Sequence, residues 1–263
     1  MFSVRLRVPP ACYDEYDQPC YPVQQTKGLF EFGNYDLMAK SLAEGYDAAD
    51  AAVLFHLIKR EVQEACPGQQ NDIVEIGGGN GHFFDNVEEL ARSYINIEPG
   101  KIRLDEKGLR RLQNGKYQCI KCSAEELPLL DECADIVLSC GALDHIPSYE
   151  KSLAEINRVL RKDGFFIVQL NNRRSWWKIL LSGTEYLRQR EQEIAKEHYI
   201  QWSLPECEDN LSDFIPLIKI YSTTFFPYVP KVWKWCLPVF NLVGRSLLPK
   251  YGGNTIAVCR KIN

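Results

Sequence analysis

Residues 72–82 read DIVEIGGGNGH, an apolar run with an acid next to its end and then four glycines in five positions. Glycine adopts positive φ without strain and lets other groups approach the backbone closely. A buried strand followed by such a turn is typical of the ligand-binding edge of an α/β sheet. The stretch therefore predicts a strand that ends near Ile76, a tight turn and the start of a helix.

Apolar segments alternate with amphipathic segments on both sides of this turn. Parallel sheets covered by helices on both faces give this pattern, because their strands are buried along most of their length. We predict an α/β fold with a doubly wound, mostly parallel sheet. The predicted strands span 72–76, 94–97, 117–121, 135–140, 165–170, 218–224 and 254–260, and the predicted helices about 81–93, 101–112 and 149–161.

The chain divides into two predicted units. Residues 1–70 contain a Pro- and Tyr-rich arm followed by one or two helices broken near Gly45, and we interpret them as a helical cover that serves as a substrate lid. Residues 71–263 form the main domain. Between about 171 and 216 the alternation stops, which predicts a helical insertion near the ligand-binding edge.

Composition narrows the class of protein. The 263-residue chain has a net charge of -4, which argues against a general nucleic-acid binder. It shows neither an apolar run of membrane-spanning length nor a secretory signal at its start, so we expect a cytoplasmic location. Its ten cysteines are then reduced thiols. The CxxC pair Cys119 and Cys122 lacks a second pair at zinc-finger spacing, and we expect no metal site.

The glycine spacing discriminates between cofactors. A dinucleotide turn needs Gly-x-Gly-x-x-Gly, and in both frames a residue other than glycine occupies the third position. The pattern present is acid-x-Gly-x-Gly-x-Gly, from Glu75 to Gly81. Further on, YINIEPG places Glu98 19 residues after Gly79, where an acid can bind both hydroxyls of a ribose. A surface acid or helix cap is the competing interpretation of Glu98.

These motifs resemble motif I and the segments that follow it in the class I S-adenosylmethionine-dependent methyltransferases, in particular the small-molecule group called type 11. The resemblance implies a Rossmann-like methyltransferase fold and S-adenosylmethionine as the cofactor. It continues in order through CSAEELPLLDECADIVLSCGALDHIP (122–147), LAEINRVLRKDGFFIVQ (153–169), EHYIQWSLPECEDNLSDF (197–214) and YGGNTIAVCRK (251–261).

The resemblance also implies a set of cofactor-binding residues. The glycine turn bends around the methionine and ribose part, Glu75 holds the ammonium directly or through water, and Glu98 takes the ribose hydroxyls. Ser123 stands where relatives carry an Asp that addresses the adenine amino group, and a hydroxyl accepts more weakly than a carboxylate. The full predicted set is Glu75, Gly77, Gly78, Gly79, Gly81, Glu98, Ser123, Ala124, Glu125, Ser139 and Cys140.

His145 is the candidate catalytic residue. It follows the fourth strand of the main domain, at the edge of the ligand crevice, where it could act as a general base or bind the substrate. Local packing or hydrogen bonding is the competing interpretation. His198, Tyr199 and Trp202 either line the substrate side or pack a helix.

The sequence therefore predicts methyl transfer to an O, N or C nucleophile of a small, apolar or anionic molecule. Two alternatives stay open. One is a methyltransferase-like protein that binds the cofactor or a partner without turnover, which Ser123 favours, and the other is a nicotinamide-dependent oxidoreductase, which would share Glu98.

The basic, aromatic stretch 225–248 allows peripheral membrane contact, and packing in the core or against a second copy competes with that interpretation.

Overall fold

The computed structural model of the chain describes residues 6–23, 47–100, 106–180, 184, 198–225 and 237–262. The strands among these residues are β1 (Cys12–Tyr13), β2 (Pro19–Cys20), β3 (Asn71–Ile76), β4 (Ala91–Ile97), β5 (Tyr117–Ile120), β6 (Ala134–Cys140), β7 (Leu160–Asn171), β8 (Leu217–Thr223) and β9 (Asn254–Arg260). The α-helices are α1 (Asp47–Ala65), α2 (Phe84–Val87), α3 (Glu106–Gln113), α4 (Tyr149–Val159), α5 (Trp176–Leu180), α6 (Leu204–Ser212) and α7 (Leu237–Leu247). Two 3-10 helices span Glu88–Leu90 and Leu143–His145.

Seven of the strands form one sheet in the order β5-β4-β3-β6-β7-β9-β8. Neighbouring strands from β5 to β7 are parallel, and β9 is antiparallel to both β7 and β8. The strand order reverses at β3, which lies between β4 and β6. Ligands of doubly wound sheets bind at such a reversal, beyond the carboxyl ends of the strands. The predicted doubly wound, mostly parallel α/β sheet is confirmed.

Apolar clusters cover both faces of the sheet. In β3, Val74 and Ile76 belong to one cluster and Ile73 to the other. In β6, Val137 likewise faces one cluster while Ile136 faces the other. Burial on both faces explains why these strands are apolar along most of their length instead of alternating with polar residues.

The helix predicted at about 81–93 is wrong in extent. The α-helix spans Phe84–Val87, a 3-10 turn follows it, and β4 begins at Ala91. Ala91 pairs with Asn71 of β3, so the chain has already entered the sheet where the helical periodicity was expected to continue. Strand pairing with β3 outweighs the helical pattern of these residues.

The described part of the N-terminal arm lies along β5. The Tyr21 N–H donates to the Lys121 carbonyl at 2.8 Å, and the Lys121 N–H donates to the Pro19 carbonyl at 2.9 Å. The arm therefore flanks the chain just before the predicted Ser123–Glu125 segment. The break near Gly45 lies outside the described residues, and the division into a lid and a main domain stays a prediction.

The described residues also bear on whether the chain spans or contacts a membrane. None of the described helices is both long and apolar enough to cross a bilayer. Helix α7 exposes Val239, Leu242 and Leu247, whereas residues 226–236 of the basic, aromatic stretch lie outside the described residues. Peripheral membrane contact stays a prediction.

Candidate functional site

The glycine turn between β3 and α2 has a backbone that residues with a side chain adopt only at a cost. Gly77, Gly79 and Gly81 have φ angles of 70°, 54° and 75°. Three of the glycines are also crowded by the protein itself. A Cβ would overlap Ala142 at Gly77, Glu75 and Asn96 at Gly78, and Tyr117 at Gly81. These glycines are therefore required by the packing of the turn, and the case for a ligand depends on the polar groups around it.

Glu98 lies directly after β4 and faces the turn. Its Oε2 accepts a hydrogen bond from the Gly79 N–H at 2.9 Å, and its Oε1 accepts one from the Gly100 N–H at 2.9 Å. The residue is 3% exposed. A carboxylate has room for about four hydrogen bonds. The two backbone donors fix the position of the carboxylate beside the turn, as a ribose-binding acid requires.

Asn96 is a site residue that the sequence analysis missed. Its Oδ1 accepts from the Gly78 N–H at 3.1 Å, and its Nδ2 donates to the Gly79 carbonyl at 2.8 Å. The side chain is fully buried in β4. A polar residue inside the apolar run YINI was the available signal, because buried amides are normally hydrogen-bonded.

Glu75 lies next to the turn but inside the protein. The Tyr94 hydroxyl donates to its Oε2 at 2.6 Å, and the residue is 2% exposed. The pKa of Glu75 is raised to about 7: burial is the largest cause, the hydrogen bond from Tyr94 opposes it, and the charge of Glu98 adds to it. A nearby cation such as an ammonium group would favour the ionised form. The predicted contact with the ammonium of the cofactor stays a prediction.

The other predicted cofactor residues lie at or beyond the carboxyl ends of β5 and β6. Ser123 and Ala124 are buried. Glu125 Oε1 and Ser139 Oγ are buried without a hydrogen-bond partner among the described residues. Such atoms are rare in native proteins, and two of them at this edge fit a polar ligand. Burial raises the pKa of the Cys140 thiol well above its ordinary value, so this thiol stays protonated.

His145 belongs to a cluster with Asp144 and His198. His145 Nε2 lies 4.0 Å from Asp144 Oδ1, and His198 Nε2 lies 3.5 Å from Asp144 Oδ2. The centroids of the two imidazole rings are 4.1 Å apart. The N–H groups of Tyr199 and Ile200 donate to the Asp144 carbonyl at 2.8 and 3.2 Å, which holds His198 beside the 3-10 helix. Asp144 was not among the residues predicted from the sequence, and neither was the proximity of His198 to His145.

The cluster adjoins the glycine turn. Ala142 of the preceding loop packs directly against Gly77, and Asn171 at the end of β7 donates to Asp144 Oδ2 at 2.8 Å. The predicted cofactor residues and the candidate catalytic residue therefore meet at one edge of the sheet. This arrangement can bind a ribose-containing ligand beside a group of titratable side chains.

A family model described as a methyltransferase domain matches residues 74–168. A protein of Mycobacteroides abscessus, named an uncharacterised methyltransferase, is 30% identical over 98 residues, which are 36% of this chain and 38% of the relative. A protein of Mycolicibacterium smegmatis, named a probable S-adenosylmethionine-dependent methyltransferase, is 27% identical over 120 residues, which are 44% of each chain. The chain thus spans less than half the length of these two relatives.

Solved structures share the fold over more of the chain. A Thermotoga maritima methyltransferase, named a possible histamine N-methyltransferase, has a TM-score of 0.51 and 23% identity, over 82% of this chain and 97% of the other. The 1,6-didemethyltoxoflavin-N1-methyltransferase of Burkholderia thailandensis, with bound S-adenosylhomocysteine, has a TM-score of 0.55 and 16% identity, over 97% and 100%. At such identities the likeness shows the fold alone.

Three observations indicate the same kind of domain. They are the order of the strands in the sheet, the glycine turn with Glu98 beside it, and the match to the family model. The family match and the Mycolicibacterium smegmatis relative support S-adenosylmethionine as the cofactor. Residues 74–168 therefore match a methyltransferase domain, and they lie in a doubly wound sheet of the kind that the solved methyltransferase structures share.

Proposed function

We propose that this protein transfers the methyl group of S-adenosylmethionine to an O, N or C nucleophile of a small molecule. One observation carries the proposal: the buried Glu98 carboxylate is held between the N–H groups of Gly79 and Gly100. Glu98 directly follows β4, the second strand of the main domain, and an acid at that place suits a ribose. The turn beside it lacks the glycine spacing of a dinucleotide-binding turn.

The chain itself has few chemical tasks in such a reaction. S-adenosylmethionine supplies a methyl group that its sulfonium already makes electrophilic. The protein must bind the acceptor, orient its nucleophilic atom and exclude water. A hydroxyl or carbon acid also has to lose a proton, and His145 beside Asp144 is the group we propose for that role. An amine that is deprotonated before binding needs no base.

The small-molecule acceptor is supported by two structural neighbours. One is named a possible histamine N-methyltransferase and the other a 1,6-didemethyltoxoflavin-N1-methyltransferase, and both of the named acceptors are small molecules. For the present chain we propose only that the methyl acceptor is a small molecule, and we do not propose its identity.

Calorimetric titration with S-adenosylhomocysteine, with NADH as the control, tests the proposal. We expect the chain to bind the former and not the latter. Glu98→Ala should weaken binding about 100-fold, because hydrogen bonds to a charged group contribute about 1.5–3 kcal/mol each. Glu208→Ala, an exposed acid on α6, is the matched control and should bind as the wild type does.

Other outcomes would separate the alternatives. Binding of NADH would favour the oxidoreductase. Binding of S-adenosylhomocysteine without methyl transfer to any acceptor in a broad small-molecule screen would favour the non-catalytic protein. Unchanged affinity in Glu98→Ala would remove the ribose assignment.

A further inference from the structure

The acid–histidine cluster, formed by Asp144, His145 and His198, has the composition of a metal site. One ligand atom from each of the three residues lies within 4.8 Å of the others. The cluster brings together the 3-10 helix after β6 and a segment more than fifty residues further along the chain. It contains two imidazoles and one carboxylate, a donor set that suits divalent transition metals better than Mg²⁺ or Ca²⁺.

The carboxylate of Asp144 is unusual because it is buried and incompletely hydrogen-bonded. The residue is 1% exposed. Asn171 donates to Oδ2, but Oδ1 is buried without a hydrogen-bond partner among the described residues. Leaving a buried carboxylate oxygen without a partner is costly. His145 Nε2 is 4.0 Å from Oδ1, which is beyond hydrogen-bond distance.

A metal ion would satisfy this oxygen. Zinc binds imidazole nitrogen and carboxylate oxygen at about 2.0–2.2 Å, so two ligands of one ion lie roughly 3–4 Å apart. His145 Nε2 lies 4.0 Å from this Oδ1, and His198 Nε2 lies 3.5 Å from the other carboxylate oxygen, Oδ2; both separations fall in that range. Small shifts of the two imidazoles, which are 17% and 12% exposed, would complete the site.

We propose that the acid–histidine cluster binds one divalent transition-metal ion and that the ion binds the methyl acceptor through an oxygen atom. The second half rests on the proposed function. Three protein ligands leave coordination positions open, as in catalytic metal sites. The contact between Ala142 and Gly77 places the cluster next to the glycine turn, so an acceptor bound there would lie close to the cofactor.

The chemistry that follows is O-methylation of a hydroxyl compound. A bound divalent ion lowers the pKa of a coordinated hydroxyl, and the proton passes to solvent. The resulting oxyanion forms the new bond to the methyl carbon, while the bond between that carbon and sulfur breaks and its electron pair stays on sulfur. Where the acid–histidine cluster holds a metal ion, His145 acts as a metal ligand in place of the general base proposed above, and this proposal departs from the expectation of no metal site.

The test uses tag-free protein treated with a chelator. Co²⁺ is titrated by calorimetry and by visible absorption, with Mg²⁺ for comparison and S-adenosylhomocysteine binding measured on the same samples. We expect one Co²⁺ per chain, displacement by Zn²⁺ and no competition by Mg²⁺. Asp144→Asn and His198→Ala should each weaken Co²⁺ binding at least tenfold. His56→Ala, at an exposed position on α1, is the matched control and should bind Co²⁺ normally.

Two results would overturn the proposal. One is an absence of Co²⁺ and Zn²⁺ binding by protein that still binds S-adenosylhomocysteine, which would leave the proposed function intact. The other is Co²⁺ binding that shows intense thiolate charge-transfer bands and is unchanged in Asp144→Asn, which would assign the metal to cysteines. If Co²⁺ binds as expected but S-adenosylhomocysteine does not, the metal site is supported and its role toward a methyl acceptor is rejected.

Discussion

Asn96 and Gly79 are joined by a 2.8 Å hydrogen bond from the side-chain amide to the glycine carbonyl. The same amide accepts from the Gly78 N–H and donates to the Tyr117 hydroxyl at 3.0 Å. The shape of the glycine turn, which ends β3, thus depends on a buried polar side chain of the neighbouring strand β4. Cofactor affinity should therefore respond to a residue that need not touch the cofactor.

Asn96→Ala should lower the free energy of unfolding by about 1–3 kcal/mol, because it leaves the Gly78 N–H and the Gly79 carbonyl without their partner. It should also weaken S-adenosylhomocysteine binding, since the turn loses its support. Urea unfolding and calorimetry measure the two effects. Asn114→Ala, which removes an exposed bond to Glu88, should change either quantity little. Equal effects in the two variants would contradict the role of Asn96.

Gly81→Ala should destabilise the protein more than Gly115→Ala. Both glycines have similar φ angles, 75° and 78°, so both variants incur the left-handed backbone cost of about 1–2 kcal/mol. A Cβ at Gly115 meets open space, whereas one at Gly81 overlaps Tyr117, and such overpacking costs about 1–3 kcal/mol more. Urea unfolding gives the difference. Matching losses would mean that Tyr117 does not crowd the turn.

The fold could be predicted from the sequence because the patterns that indicate it are local. The apolar run of β3, the glycines after it and the acid at Glu98 are each short patterns, and their order predicts which sheet edge they share. The predicted limits of β6, 135–140, agree to within one residue with the strand Ala134–Cys140. The predicted helix at about 81–93 was wrong because pairing of Ala91 with Asn71 is a long-range contact that periodicity does not report.

The parts of the site that were missed also depend on long-range contacts. The approach of His198 to Asp144 results from backbone bonds to the Asp144 carbonyl, which no spacing rule reveals. The position of Asn96 under the turn depends on the register between β3 and β4. The pKa of Glu75, raised to about 7 chiefly by burial, likewise depends on how the strands pack around the side chain, which its place beside the turn in the sequence does not show.

Glu75→Gln should change the pH dependence of stability. The folded-state pKa of about 7 exceeds the ordinary value of 4.5, so the folded protein binds this proton more tightly than the unfolded chain. The stability of the wild type should therefore fall, relative to Glu75→Gln, by about 3 kcal/mol as the pH rises from 4.5 to above 7. Urea unfolding at several pH values measures this difference. Parallel curves for the two proteins would show that Glu75 titrates normally.

Asp72→Asn should reduce stability without affecting the site. Burial alone would raise the pKa of Asp72, but hydrogen bonds from Arg92, Ser93 and Arg161 outweigh it and lower the pKa to about 2. Because the folded-state pKa lies below the ordinary 3.8, the stabilisation is present above pH 3.8 and is lost as the pH falls toward 2. We expect the free energy of unfolding to fall by about 1–2 kcal/mol at neutral pH, allowing for the screening of the half-exposed Arg92.

Asp72 lies near the start of β3, at the edge of the sheet opposite the glycine turn, so S-adenosylhomocysteine affinity should stay at the wild-type value. Weaker binding in calorimetry, with the variant shown to be folded, would mean that the two edges of the sheet are coupled.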